Sequence, residues 1–447
     1  MLKTVWIFAL CCFSLNAATM SSSRPVTFID KRLDPGKPVL ASNGQGDVAI
    51  AWAASQEDEP QSLQFSFKRR EGEWAPVKMV SENNDIAKIK LTVSDEGTAT
   101  LLWRESAADQ KTYYFFGQKS EEGFWSAPFR VVDAPDKLKV KLKKDKVVFV
   151  GLFEDFGDAI KTEKGVPYHL IETAVPLQRY PDSYWGSSSH FNSQGDGLMV
   201  GYHKELRDDY FWRKDFFTCK AFWLSNHLWS GPQKVCELPQ DEYVEKCKCL
   251  QNENDASSGA LYLATRDKRW DCCHRVMLYD QGHWSVENDL VPRGFTQACK
   301  LAMNSQNDLL LVWKNKENQR LEATFKPQGQ EWRRVTLASD ITELSLWLSF
   351  GGDIQIKSDE AGNFVVIWTD FFTAFRHLHT EKRQGVYGVV FSIKDQTVSD
   401  PILLSPVPFD CSQPSLAITA LGHGFVSWIA SNKVDKAVQV AEFCYTP

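Results

Sequence analysis

The chain has 447 residues, 43% hydrophobic and 24% charged, with a formal net charge of -6. That balance excludes a disordered or fibrous chain and an overall basic, nucleic-acid-binding surface. The length admits two or three ordinary domains or one large repeat architecture, and the 16 Trp and 28 Phe favour sheets, against which large aromatics pack.

Lys3, an apolar run over 5–15 and the small residues Ala17 and Ala18 read as a secretory signal peptide over 1–18. The run is too short to span a bilayer, and no later segment reads as a membrane helix. The expectation is a single domain over 19–447 in a secreted, periplasmic or cell-surface setting. The stretch 25–30 (Pro-Val-Thr-Phe-Ile-Asp) then looks like the closing strand of a unit that has no start of its own.

A repeat follows. A polar turn rich in Asn, Asp and Gly leads into a short apolar run that usually ends in Trp. The turn at 43–47 leads to Trp52, that at 94–97 to Trp103, that at 192–196 to Tyr202, and that at 304–308 to Trp313. The turn at 358–363 leads to Trp368 and that at 421–424 to Trp428; degenerate copies run from 144–146 into Val150 and from 257–259 into Ala264. Trp52 and Trp103 are 51 residues apart, and Trp313 and Trp368 are 55 apart, which suits four strands with their turns. A second marker follows about 20 residues later in the units, at Trp74, Trp125, Trp229, Trp284 and Trp332, after Gly-bearing hairpin turns. The final stretch, 437–443, looks like a third strand with no fourth after it. One unit cannot bury both its faces alone, so the copies must stack, and circular stacking removes exposed ends. The prediction is an all-β chain forming a single β-propeller of eight four-stranded blades, its ring closed by the N-terminal strand. Seven blades result if the poorly patterned stretch 152–186 is an insertion.

The repeat resembles those of secreted bacterial β-propeller proteins, including the broad sialidase-like group. The resemblance covers nearly all of the chain after the leader and implies the propeller fold. Sialidase-like chains carry turns of the form Ser-x-Asp-x-Gly-x-x-Trp; the turns at 94–97 and 358–360 depart from that spacing, and no catalytic signature accompanies them.

Nine cysteines follow the leader, and seven cluster as Cys219, Cys236, Cys247, Cys249, Cys272, Cys273 and Cys299. In an exported chain these are disulfide candidates, with an odd thiol left over. The spacings lack the two-residue gap of zinc knuckles, so no metal and no cofactor is expected.

In a propeller, the connections from second to third strand and from one blade to the next share a face around the channel. The second-strand exits supply the candidate ligand-binding residues Arg104, Arg207, Tyr210, Trp212, Arg213, Arg266, Arg376, His377 and His379, read as long loops that suit anion and sugar recognition. The aromatic stretch 168–191 (Tyr168 to Phe191) serves equally as packing. The first reading of function is a non-catalytic binding scaffold for a protein or glycan partner. The alternative, implied by the resemblance, is a sialidase-like glycoside hydrolase drawing on Arg104, Arg207, Arg213, Arg266 and Arg376, with Tyr210 or Tyr184 as nucleophile. No Gly-x-Ser-x-Gly elbow supports a serine hydrolase.

Overall fold

The computed structural model describes residues 19–28, 34–55, 60–83, 85–106, 112–119, 129–133, 139–143, 146–150, 171–173, 184–191, 196–209, 212–225, 228–230, 233–238, 242–252, 257–266, 272–280, 282–288, 290–292, 296–315, 317–339, 341, 354–376, 379–405, 409–419, 422–432 and 435–446. Every regular element among them is a strand. The leader lies outside the described residues.

The strands fall into eight sheets that follow one another along the chain. The sixth shows the pattern most plainly: Thr296–Met303, Leu309–Asn315, Arg320–Lys326 and Arg333–Ala338 form an antiparallel meander in chain order. The first sheet is built on Val39–Ser42, Val48–Ser55, Gln61–Lys68 and Lys78–Asn83, and the second on Ile86–Val93, Ala99–Ser106, Thr112–Lys119 and Phe129–Asp133. The third departs from four antiparallel strands. Among the described residues it holds Lys139–Lys143, Lys146–Val150 and a short parallel strand, Ile171–Thr173. The fourth sheet is built on Tyr184–Phe191, Gly197–Asp209, Trp212–Ser225 and Gln233–Leu238, the fifth on Tyr243–Gln251, Ser258–Arg266, Cys272–Asp280 and His283–Glu287, and the seventh on Gln355–Ser358, Phe364–Arg376, His379–Ser392 and Ile402–Leu403.

Where the described second strands lie between neighbouring sheets they are apolar, because they are buried there on both faces. Alternate side chains face opposite neighbours, as the two-residue period of a strand requires. In the sixth sheet Leu310 and Val312 share a core with the seventh, while Leu309, Leu311 and Trp313 share one with the fifth. The recurring Trp keeps one orientation throughout. Trp103, Trp313, Trp368 and Trp428, all at most 1% exposed, each pack into the core shared with the preceding sheet. In the degenerate fifth unit that orientation belongs to Leu263, not to Ala264, which faces the sixth sheet instead.

The polar turns are where the sequence repeat acquires its reason. Gly46, Gly97 and Gly362 occupy the left-handed position of equivalent turns, and Asn307 fills it in the sixth sheet. Asn304 Oδ1 accepts from the Asp308 backbone N–H at 2.8 Å, and Asn304 Nδ2 donates to Asp308 Oδ2 at 2.8 Å. Asn43 and Asp47 repeat the arrangement at 2.9 and 3.0 Å. Asp308 also accepts from the Gln328 N–H, tying the turn to its own sheet's other hairpin. Asn304 Nδ2 reaches the Gly362 carbonyl of the next sheet at 3.0 Å, and Asn43 Nδ2 reaches the Ser94 carbonyl at 2.8 Å. The motif therefore staples each turn to itself and to its neighbour.

Both chain ends meet in the eighth sheet. Asp410–Ile418, His423–Ser431 and Lys436–Thr446 are its three C-terminal strands, and Lys436–Thr446 pairs with Thr19–Ser22 and Val26–Phe28. Val26 stands opposite Val440 and Phe28 opposite Val438, and Thr19–Ser22 pairs further along the same strand, outside the stretch 25–30 that the sequence marks as a strand. The eighth and first sheets share a core of Leu40, Val48, Ile50, Trp52, Phe425 and Val438 among others.

Candidate functional site

Up-and-down strands place the stapled turns at one face and the second-to-third connections, with the links between sheets, at the other. On that second face a cavity of about 590 Å³ opens where the eighth, first and second sheets meet. Asp34, Gly36 and Lys37 precede the first sheet's inner strand, Ile86 and Lys88 open the second's, and Ser412 and Gln413 lie near the start of the eighth's. Ser55 and Gln61 flank the second-to-third connection of the first sheet, and Ser431 and Lys436 that of the eighth.

Two backbone irregularities aim side chains here. The register of Ile86–Val93 slips between Ala87 and Lys90, and that of Asp410–Ile418 between Ser412 and Ser415. Within those bulges Lys88 has φ 50° and Gln413 φ 53°, left-handed conformations that non-glycine residues seldom adopt. Gln61 Oε1 accepts from the Ile86 N–H at 2.7 Å and fixes the first sheet to the start of the second. Asp34, the one carboxylate among the described lining residues, is held by Lys436 Nζ at 2.8 and 3.0 Å. Lys37 and Lys88 are exposed and form no ion pair among the described residues. Among the described residues the lining is polar, with three lysines to one carboxylate, a set suited to hydrogen-bonding an anion.

The candidate residues from the second-strand exits are placed differently from the sequence expectation. The segments containing Arg207, Trp212, Arg213, Arg376 and His379 are not loops. Gly197–Asp209 pairs with Trp212–Ser225 out to Asp209 opposite Trp212, and Phe364–Arg376 pairs with His379–Ser392 out to Arg376 opposite His379. Each continues the ladder past the strands that flank it, which end at Tyr184 opposite His203 and at Leu238 opposite Phe217 in the first case and at Gln355 opposite Ile367 in the second, as a two-stranded arm. Tyr210 and His377 lie outside the described residues, as do the side chains of Arg207, Trp212, Arg213, Arg266, Arg376 and His379. Arg266 ends its strand opposite Cys272.

Arg104 stands beside the cavity, opposite the lining residue Ala87, with its guanidinium 4.0 Å from Asp85 and a buried Nε that has no hydrogen-bond partner. Its neighbour Glu105 is a buried structural acceptor for Trp103 Nε1 at 2.7 Å and Ser81 Oγ at 2.6 Å. Sequence reasoning missed Lys37, Lys88 and Gln413. The signal that finds them is a charged or amide residue where a link between sheets enters the innermost strand.

The cysteine cluster lies elsewhere, on the fourth and fifth sheets, with Cys299 on the sixth. Among the described residues, Cys219, Cys236, Cys247, Cys249, Cys273, Cys299, Cys411 and Cys444 are in no disulfide. The Cys272 side chain is outside the described residues. No disulfide joins the candidates, and no group of ligands suited to a metal occurs among the described residues.

No family model matches the chain, and no curated protein matches it. Among solved structures, a protein of unknown function from Dyadobacter fermentans is 9% identical, with 96% of this chain and 99% of that one covered and a TM-score of 0.42. The β-propeller domain of the Trilobed protease from Pyrococcus furiosus is 8% identical, covering 91% and 95%, with a TM-score of 0.39. A Hadza microbial sialidase is 9% identical, covering 88% and 76%, with a TM-score of 0.36. The propeller assignment rests on the succession of four-stranded sheets with shared cores.

Proposed function

We propose that the chain is an exported, eight-bladed β-propeller, closed by its N-terminal strand, that binds an anionic group of a glycan or protein partner at the mouth between its eighth, first and second blades. Eight sheets in chain order and the core shared by the eighth and the first support the closed ring. The observation that carries the binding reading is the pair of exposed lysines, Lys37 and Lys88, on a cavity where Asp34, the one carboxylate among the described lining residues, is already held by Lys436. Its volume of about 590 Å³ falls in the range of small-ligand sites.

The test is a glycan array on the mature chain, followed by calorimetric titration of each bound glycan and mass spectrometry of the glycan after incubation. Sialylated or uronate-bearing glycans should bind and neutral ones should not. Lys37→Glu and Lys88→Glu should each weaken binding about ten- to a hundredfold, the worth of a charge-assisted hydrogen bond. Equal binding of neutral glycans, or unchanged affinity in both variants, would overturn this site. Turnover of a bound glycan would replace the scaffold by the hydrolase.

A further inference from the structure

The thiols are not spread evenly over the molecule. Cys219, on Trp212–Ser225, stands directly opposite Cys236, on Gln233–Leu238, in an antiparallel pair. Opposed residues of such a pair have Cα atoms about 4.5–5.5 Å apart, within the span a disulfide bridges. The register slips immediately beyond them, between Cys219 and Lys220, and such a bulge re-aims side chains locally. Cys219 is fully buried and Cys236 is partly exposed, so only one of the two thiols is open to a reagent.

The surroundings divide the roles further. Hydrogen bonding with Cys219, with the Arg275 guanidinium adding to it, holds Cys236 below the ordinary thiol value although burial opposes the shift. The same interaction and burial push Cys219 far up. Arg275 reaches the pair from the fifth sheet and is held in place by Glu242, Nη2 donating to Oε1 at 2.8 Å, and by Thr265 Oγ1 at 2.9 Å. A partly exposed thiol of lowered pKa, facing a buried one across the ladder, is the arrangement of an attacking and a resolving cysteine.

We propose that Cys219 and Cys236 form a reversible cross-strand disulfide by exchange with an external disulfide, Cys236 attacking first and Cys219 resolving. The Cys236 thiolate attacks one sulfur of the incoming disulfide, forms a mixed disulfide and expels one thiolate, which takes up the proton Cys236 has lost. Cys219 then attacks Cys236 Sγ, and its proton leaves with the second expelled thiolate. Two protein thiols are oxidised by two electrons, and one disulfide is reduced to two thiols. The bond links the third and fourth strands of the fourth sheet. It is independent of the ligand at the channel mouth.

The experiment equilibrates the full folded chain with excess glutathione disulfide, blocks the remaining thiols with an alkylating agent and maps the peptides by mass spectrometry. The expected result is the loss of two alkylated thiols and one cross-linked peptide joining Cys219 to Cys236, both reversed by reduced glutathione. Cys219→Ser should trap glutathione on Cys236, and Cys236→Ser should leave Cys219 alkylatable only after unfolding. Mapping on the unaltered chain decides the matter even if a variant fails to fold. Full alkylation of Cys236 after oxidation, or a bond from Cys236 to Cys247 in place of Cys219, would overturn the assignment.

Discussion

Replacing Asn304 by Ala tests whether the repeated turn holds the sheets together or merely marks their spacing. The Asn304 amide makes four bonds: it accepts from the backbone N–H groups of Gln306 and Asp308 and donates to Asp308 Oδ2 and the Gly362 carbonyl. Without it, the Gln306 N–H can turn to water. The Asp308 N–H and the Gly362 carbonyl are left without that partner in a buried setting, each at about 1–3 kcal/mol, and the Asp308 carboxylate keeps the Gln328 N–H. The sum is about 4 kcal/mol. At roughly 2.1 cal/mol/K of unfolding entropy per residue, a chain of this length loses about 4–5 °C of Tm for that amount if it melts as one unit. Differential scanning calorimetry alongside tryptophan fluorescence measures it, with Gln306→Ala at the same exposed turn as the control expected to shift Tm by about 1 °C or less. Asn304→Asp should be no better than Ala, because it restores the acceptor but sets a second carboxylate against Asp308. A loss below about 1 °C for Asn304→Ala would refute the reasoning, since the network would then be replaceable by water.

Phe28 fixes the N-terminal strand to the first sheet through ring contacts with Trp52 at 5.6 Å and Trp74 at 5.4 Å. Phe28→Ala should cost about 2–3 kcal/mol and speed amide exchange across 19–28, read by hydrogen–deuterium exchange. Gly424→Ala would drive a methyl group into the ring of Phe443, which is 1% exposed and cannot move aside, so a loss of about 3 kcal/mol in a denaturant titration is expected. Burial pushes the Cys411 thiol from 9.0 up to about 12. The unfolded chain ionises first, so stability falls as pH rises from about 9 toward about 12, by up to about 1.4 kcal/mol per pH unit. Cys411→Ala should flatten that alkaline limb relative to the parent chain. Tyr445 Oη donates to Asp359 Oδ2 at 3.0 Å, and burial followed by that carboxylate pushes the phenol up. Tyr445→Phe should therefore cost about 1–3 kcal/mol at neutral pH, while losing less stability than the parent above pH ~10.

Much of the fold was legible because its determinants are local. A turn with Asn or Asp at its start and Gly or Asn in the left-handed position leaves a mark at fixed spacing, and an apolar second strand follows because both its faces are covered. Where local chemistry was ambiguous the sequence misled. In the fifth unit Ser258 takes the position of Asp308, so counting from a turn without the Asp put the buried marker at Ala264 and not at Leu263. The second-strand exits with Phe371, Phe372 and Phe375 read as ligand loops because charge and aromatic density look alike in a loop and in an extended hairpin; ladder pairing out to Arg376 and His379 is a long-range fact. The cysteines showed a cluster but not that Cys219 faces Cys236, which depends on the register of two strands.

The two faces differ in what a repeat can reveal. On the stapled face each blade needs the same bonds, from Asn43 to Ser94 and from Asn304 to Gly362, so the same residue types recur and the eye finds them. On the other face no bond must be repeated, and the residues there are free to differ between blades. Lys88 lies in a bulge of the second sheet where Gln413 lies in the eighth: the backbone device is shared and the side chain is not. A strained backbone that recurs while its side chain changes separates scaffold from chemistry more sharply than the turn motif does. The first residues to substitute in a search for ligand contacts are therefore those the repeat pattern passes over, Lys37, Lys88 and Gln413, and not the asparagines and tryptophans that define it.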